Sequence, residues 1–366
     1  MTPTTISFAR GAPSLDIVAT DELREAASAA LGSDPAGAFA YGTSVGYPPL
    51  RRWIAEKHGV PVERVLVTNG SMQADAFLFE HLVEADDSVV VEAPTYDRTL
   101  LSLRSRGADV LPVPLEADGI DVDALEGALE AGARPRLAHV IPNFHNPAGC
   151  TLSLDKRQRL IELAERFDFV VFEDDPYVDI RFEGADLPRM LELDEGDRVV
   201  YASSFTKTVC PGVRVGYLVG PEHHIEAIAR LATNTYISPS MVAQSIVAEF
   251  CRSGAIDGSI ATIKAALRER RDALCAALRR ELPEAHFVSP QGGYFLWVEL
   301  PDGADVDRLF GAAAERGVAF VKGTDFLLEG GESALRLAYS GVTPGEIDEG
   351  VSRLAAAYRS LFPARA

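Results

Sequence analysis

Residues 198–220 read RVVYASSFTKTVCPGVRVGYLVG, and the reading of the whole chain turns on them. Val199, Val200 and Tyr201 open an apolar, β-branched run of the kind that forms a buried strand. Two serines, a phenylalanine, a threonine and Lys207 follow; Pro211 and Gly212 then turn the chain, and a second apolar run begins at Val213. Composition singles out the lysine. The chain holds five lysines, at 57, 156, 207, 264 and 322, among 35 basic residues, so arginine is its default cation. Arginine does not condense with a carbonyl, whereas a desolvated lysine amine does. Ser204, three residues earlier, and Arg214, seven later, can offer a hydroxyl and a fixed cation to a phosphate while Lys207 holds an aldehyde.

The totals bound the answer. A chain of 366 residues with 47% hydrophobic and 24% charged residues is an ordinary globular composition, long enough for about two domains. No apolar run approaches the roughly 18 residues of a membrane span. The opening MTPTTISFARGAP lacks the basic-then-apolar order of an export signal, so a cytoplasmic protein is expected. A net charge of −19 argues against nucleic acid and anionic membrane as partners. The four cysteines, at 150, 210, 251 and 275, have no metal-binding spacing and read as free thiols, with no metal site expected.

Apolar runs alternate with helical patterns along the first 250 residues. Strands are predicted at 65–68, 88–92, 110–114, 138–141 and from 169, with helices at 50–58, 72–82, 97–106, 122–130 and 154–167. Such alternation implies parallel strands joined by helical crossovers. Thr20 is placed as the N-cap of an early helix. Helices are predicted at 221–232, 240–251 and 256–282, the last crossing between domains. The C-terminal third reads as strands at 286–290, 293–300, 318–321 and 334–340 with helices at 306–316 and 344–362.

Several of the predicted turns carry chemistry. Asn69-Gly70-Ser71 joins a strand to a helix, the geometry that leaves unpaired amides facing an anion. Phe169–Tyr177, FVVFEDDPY, delivers acids to a strand end with a tyrosine three residues beyond Asp174. Asn146, in PNFHNPAG, follows another strand at the same edge of the sheet.

S-F-T-K-T-x-x-P-G-x-R-x-G resembles the Schiff-base segment of the fold-type I pyridoxal-phosphate enzymes. Within them it is similar to the class I/II aminotransferase group, in its 2-aminoadipate and MocR-like forms. The resemblance covers nearly the whole chain, in order. It implies an α/β fold: a large, mainly parallel α/β/α domain with a smaller α/β domain. The corresponding division is 1–40 for an N-terminal arm and part of the small domain, 41–250 for the cofactor-binding domain, and 251–366 for the small C-terminal domain.

The resemblance also implies roles. Lys207 would carry pyridoxal 5′-phosphate, Asp174 would pair with the ring nitrogen, and Tyr177 and Asn146 would face the phenolic oxygen. Tyr96 would stack on the ring. Gly70, Ser71, Gln73, Ser204 and Arg214 would hold the phosphate, joined by Tyr41 from the neighbouring subunit of a homodimer. Arg336, in ALRLAYS, would clamp the substrate carboxylate, with Asn146 and Gly11 beside it. The implied reaction moves an amino group between an L-α-amino acid and a 2-oxo acid. The same parts serve elimination, replacement, cyclisation or decarboxylation in the making of unusual amino acids, and that is the alternative. A third reading is a cofactor-binding regulatory module. An acidic chain that reaches Gly-x-Pro by residue 13 is not expected to carry the basic winged-helix domain of such regulators. Val321-Lys322-Gly323 departs from the Pro-Gly of the family near the substrate mouth.

Overall fold

The apolar run that opens residues 198–220 forms a strand, Val199–Ser204, buried at all six positions. A strand covered on both faces belongs in the middle of a sheet with helices on either side. The computed structural model describes residues 4–301 and 303–362; with strands β1–β13 and helices α1–α13 numbered in chain order, this strand is β8. The sheet around it runs β2 (Val65–Thr68), β9 (Gly216–Val219), β8, β7 (Val170–Asp174), β6 (Leu137–Val140), β3 (Ser88–Ala93), β4 (Asp109–Glu116) and β5 (Gly119–Ile120). From β8 to β4 all pairings are parallel. β9 is antiparallel to both β8 and β2, so β2 points the same way as β8. The C-terminal ends of β2, β3, β6, β7 and β8 therefore share one edge, the edge at which open α/β sheets bind ligands.

Side chains alternate across the sheet with period two. Val199 and Tyr201 join the core under α3 (Pro48–His58), α6 (Val122–Glu130), α7 (Leu154–Phe167) and α10 (Met241–Arg252). Val200 and Ala202 join the core under α4 (Ser71–Leu82), α5 (Asp97–Ser105) and α9 (Glu222–Tyr236). Helix α7 shows the local logic. Leu160, Ile161, Leu163 and Ala164 form its buried stripe, and Asp168 ends it in the left-handed region at φ 59°, which a short polar side chain tolerates.

A second core lies around a small antiparallel sheet, β10 (Phe295–Glu299), β13 (Ala334–Ala338) and β12 (Val321–Lys322). It is covered by α12 (Val306–Glu315) and α13 (Pro344–Leu361). Helix α11 (Ala255–Glu281) spans 27 residues, which is about 40 Å. Its Ile256 belongs to the core of the large sheet and its Leu267, Leu274 and Leu278 to the second core. The N-terminal residues tie in here. β1 (Ile6–Ser7) pairs in parallel with β11 (Val318–Ala319), and Phe8 is fully buried against the α13 backbone. A Cβ at Gly350 would lie 2.6 Å from the Phe8 ring. Further on, α1 (Thr20–Ser33) and α2 (Pro35–Phe39) pack instead on α10 of the large unit.

Four local expectations change. Thr20 is the first helical residue of α1 rather than its cap; Ala19 precedes it without a side-chain hydrogen bond. Residues 35–39, where no helix is predicted, form α2, because Asp34 accepts from Gly37 N at 2.9 Å and Pro35 presets the first turn. Residues 286–290 make a single antiparallel bridge, His286 to Glu299, instead of a strand. Pro290 has no N–H, and its carbonyl accepts from Arg271. The expected strand 318–321 breaks at the buried Phe320, where the chain exchanges β1 for β13 as its partner. Among the described residues no helix is long and apolar enough to cross a membrane.

Phe8 is the plug that holds the N-terminal segment to the second core. Phe8→Ala should destabilise the protein by about 3–5 kcal/mol, measured as the loss of unfolding free energy in chemical denaturation. A change below about 1 kcal/mol would show that the segment docks through its backbone bonds alone.

Candidate functional site

The shared edge of the sheet encloses a cavity of about 130 Å³. Of the residues predicted from sequence, Ser71, Tyr96, Asn146, Asp174, Tyr177, Ser204, Lys207 and Arg214 line it. They come from five separate strand ends and their following turns, spread over more than 140 positions of the chain.

Lys207 is buried. Its Nζ donates to Gly11 O at 2.9 Å and lies 5.5 Å and 5.2 Å from the ring centroids of Tyr177 and Tyr294. Tyr294 Oη donates in turn to Lys207 O at 3.1 Å. Burial lowers the lysine pKa to about 8, helped by the positive charges of Arg336 and Arg214 and opposed by Asp174. An appreciable fraction of the amine is therefore uncharged near neutral pH, the state that attacks a carbonyl. Gly11 reaches this place because it has no side chain: a Cβ there would collide with the Phe295 ring.

Below the lysine, two turns press together. Gly70 has φ 88° and precedes α4 without a side-chain cap, and a Cβ on it would collide with Arg214 Nη2. A Cβ on Gly216 would meet Ser71 N at 2.5 Å. Ser204 Oγ donates to Thr206 Oγ1 at 2.7 Å, and Arg214 Nη1 approaches the same oxygen at 3.5 Å. Uncapped helix amides, two hydroxyls and a guanidinium make a cradle for an anion. The Gln73 side chain is turned away from it, with Oε1 accepting from Asn69 N at 2.9 Å.

The three acids of FVVFEDDPY separate by strand alternation. Glu173 accepts from Met190 N and Leu191 N at the start of α8 (Met190–Leu193), both at 2.9 Å. Asp175 accepts from Asn143 Nδ2 at 2.9 Å, and burial, then Glu173, push its pKa up to about 8. Neither reaches the cavity. Asp174 does, with Oδ2 3.6 Å from His139 Nε2 and Oδ1 buried without a hydrogen-bond partner. Burial, followed by the charge of Asp97, pushes the Tyr96 phenol up to about 12. Burial holds Tyr177 well above the ordinary phenol range, so both stay protonated.

Arg336, on β13 of the small sheet, meets the cavity wall at Asn146. Nη1 donates to Asn146 Oδ1 at 2.8 Å and Nη2 to Ala9 O at 2.7 Å. The guanidinium lies 4.4 Å from the Phe295 ring centroid and 4.9 Å from that of Phe326. Its Nε is buried and unpartnered. Among the described residues no carboxylate stands within ion-pair distance of Arg336, so a buried cation faces only neutral acceptors, an arrangement that favours an incoming anion.

Tyr41 is outside this cluster. It is 86% exposed, on a loop whose Gly42 N donates to Ser238 Oγ at 3.4 Å. Three polar residues in or beside the site went unassigned in the sequence. Thr206 sits inside the lysine motif, and only the folded loop turns its hydroxyl towards Ser204. Tyr294 acts from the second core and has no local signal. Asp75 did have one: an acid on the apolar face of SMQADAFLFEHL.

The donor set fits pyridoxal phosphate. The cradle suits its phosphate, the lowered lysine suits its aldehyde, and the orphaned Asp174 oxygen suits its ring nitrogen. Comparison with known proteins points the same way. Residues 3–354 match the family described as Aminotransferase class I and II. The 2-aminoadipate transaminase of Thermus thermophilus is 36% identical over 365 residues, covering 98% of this chain and 91% of that protein. Aromatic-amino-acid aminotransferase 1 of Thermococcus litoralis is 32% identical, over 96% of this chain and 87% of that one. The crystal structure of the α-aminoadipate aminotransferase of Thermus thermophilus, complexed with N-(5′-phosphopyridoxyl)-L-leucine, superposes with a TM-score of 0.93 at 35% identity. It covers 98% of this chain, and 92% of that chain is covered. With the family matched along almost its entire length and the parts for the cofactor in one cavity, the chain belongs to the class I and II aminotransferases and is a pyridoxal-phosphate-dependent enzyme.

Proposed function

We propose that Lys207 is the reacting amine of this aminotransferase, that Arg336 anchors the carboxylate of the amino acid or 2-oxo acid, and that the enzyme works as a homodimer. The observation that carries the reading is the buried Lys207 amine, at a pKa of about 8, in one cavity with the unpartnered oxygen of Asp174. Pyridoxal phosphate, when bound, supplies an aldehyde for the amine and a ring that accepts negative charge from the substrate carbon.

The rest of the work falls to the chain. Arg336, held flat between Phe295 and Phe326, exchanges neutral acceptors for a carboxylate and fixes the substrate end to end. Lys207 takes a proton from the substrate α-carbon and returns it elsewhere, a task suited to an amine whose pKa lies near the working pH. Asp174 would pair with the cofactor's ring nitrogen, and Tyr177 and Asn146 would donate to its phenolic oxygen. Ser71, Ser204, Thr206 and Arg214 hold the phosphate. The relatives are named for 2-aminoadipate and for aromatic amino acids; what those substrates share is the α-amino carboxylate, and that is the part these residues address.

The dimer rests on surface. Phe39, Tyr41 and Ile237 are exposed at 65%, 86% and 57%, and the bonds from Gly42 to Ser238 and from Tyr236 Oη to Ser44 O gather them in one area. A cluster of large exposed apolar side chains marks a contact surface.

Borohydride should fix pyridoxal phosphate covalently to the wild-type chain at Lys207 and not to Lys207→Ala, read by mass spectrometry. A reducible adduct retained by the variant would move the role to another lysine. Because only the uncharged amine reacts, capture of the cofactor should speed up as pH rises through about 8. Arg336→Ala should raise KM for every amino acid by roughly two to four decades, the scale of losing a buried charged pair of about 3–5 kcal/mol. An unchanged KM with lower thermal stability would make Arg336 structural. Tyr41 is tested by mixing. Lys207→Ala and Tyr41→Ala subunits, refolded together, should recover activity if Tyr41 serves the neighbour's site, since one site per hybrid is then intact. No recovery would place Tyr41 in its own subunit's site.

A further inference from the structure

The cavity holds two acids. Beside Asp174, at the end of β7, stands Asp75, from the second turn of α4. Both residues are buried, Asp75 at 8% and Asp174 at 5% exposure, and each keeps one carboxyl oxygen, Oδ1, with no hydrogen-bond partner. Charged and titratable groups surround them from every side. His139, on β6, is 3.6 Å from Asp174 Oδ2. Lys207 and Arg214 enter from the segment between β8 and β9 and Arg336 from β13, while Tyr96 and Tyr177 are phenols that stay protonated. Asp97 and Arg98, at the start of α5, lie 3.5 Å apart and offset each other. Among the described residues no cation stands within ion-pair distance of Asp75. The charge it feels most is that of Asp174.

Two buried carboxyls in one cavity resist joint ionisation, and burial and its neighbour both favour the protonated form of Asp75. We propose that Asp75 is a positioning residue, whose carboxyl stands with that of Asp174 in one cavity and keeps its proton, so that it adds no negative charge there. The division between the two follows from their neighbours. Asp174 has the His139 ring beside it, whereas Asp75 has no counter-ion, and burial together with Asp174 holds the Asp75 carboxyl well above the ordinary range. Asp75 then contributes shape, and no charge, opposite Lys207. This deepens the reading of the cavity as the cofactor site.

The pair is measurable without the reaction. A carboxyl whose pKa is raised in the folded protein binds more protons folded than unfolded at pH above the ordinary carboxylate value. Stability therefore falls as pH rises from there. Asp75→Asn removes this group and keeps its shape. In the full-length protein freed of cofactor, wild type and Asp75→Asn should melt together at about pH 4. The variant should then gain on wild type as pH rises, by about 2 °C or more at pH 8. Asp175 is present in both proteins and cancels from the difference. Infrared difference spectra at pH 7 should show one protonated-carboxyl band in wild type that Asp75→Asn lacks. A gap that does not change with pH, or a spectrum without that band, overturns the pair. Should Asp75→Asn fail to fold, Asp174→Asn gives the second test: without its neighbour's charge, Asp75 should ionise at lower pH and its infrared band should titrate earlier. A band that titrates unchanged overturns the pair equally. Borohydride fixation at Lys207 reports on the cofactor site separately, so a failed pair and a failed cofactor site are distinguishable.

Discussion

The amine of Lys207 is buried where two cores meet, and most of the site depends on that desolvation. The lysine stands at the end of β8, on the edge of the large sheet, but its Nζ donates to Gly11, and Gly11 lies against Phe295 of the small sheet. Neither unit buries it alone. The N-terminal segment is anchored to the second core by β1 and Phe8 before it crosses the lysine. A solvated lysine keeps its proton at neutral pH; one enclosed between two packed bodies, with Arg214 and Arg336 nearby, gives it up readily.

The same enclosure explains why so many charges in the cavity lack a charged partner. Arg336 bonds to neutral oxygens, Asp174 and Asp75 each hold an unpartnered oxygen, and the cradle around Arg214 contains only hydroxyls and amides. Burying such groups costs free energy that other parts of the fold must offset. The apolar cores on both faces of the eight-stranded sheet supply that offset, with strands such as β8 buried at every position. On the proposed reading, cofactor and substrate would bring a phosphate, a ring nitrogen and a carboxylate, each the complement of a group left open.

Much of this was legible in the chain. The alternation of apolar runs with helical patterns up to residue 250 implied parallel strands, and the sheet from β8 to β4 has them. The lysine motif, the Asp174 to Tyr177 spacing and PNFHNPAG are local, because each turn leaves its strand at the same edge, and a few residues set where a side chain points. Places where the chain changes partner were harder to see. The break at Phe320 and the lone bridge at His286 depend on which strand lies alongside, and no short window of sequence records that.

What the sequence determined by itself, then, is chemistry carried by contiguous residues: a lysine and an acid delivered to strand ends, and the strand–turn–helix junctions that bring them to one cavity. Strand alternation and turn stereochemistry are short-range, so a motif brings its own geometry. The tertiary structure decided what those groups face. Only folding sets Tyr294 on the Lys207 carbonyl, brings Asn146 to Arg336 across 190 positions, and puts Asp75 of α4 into the cavity of Asp174. Desolvation and charge–charge coupling arise between segments distant in the chain, and they exist only once those segments have packed together.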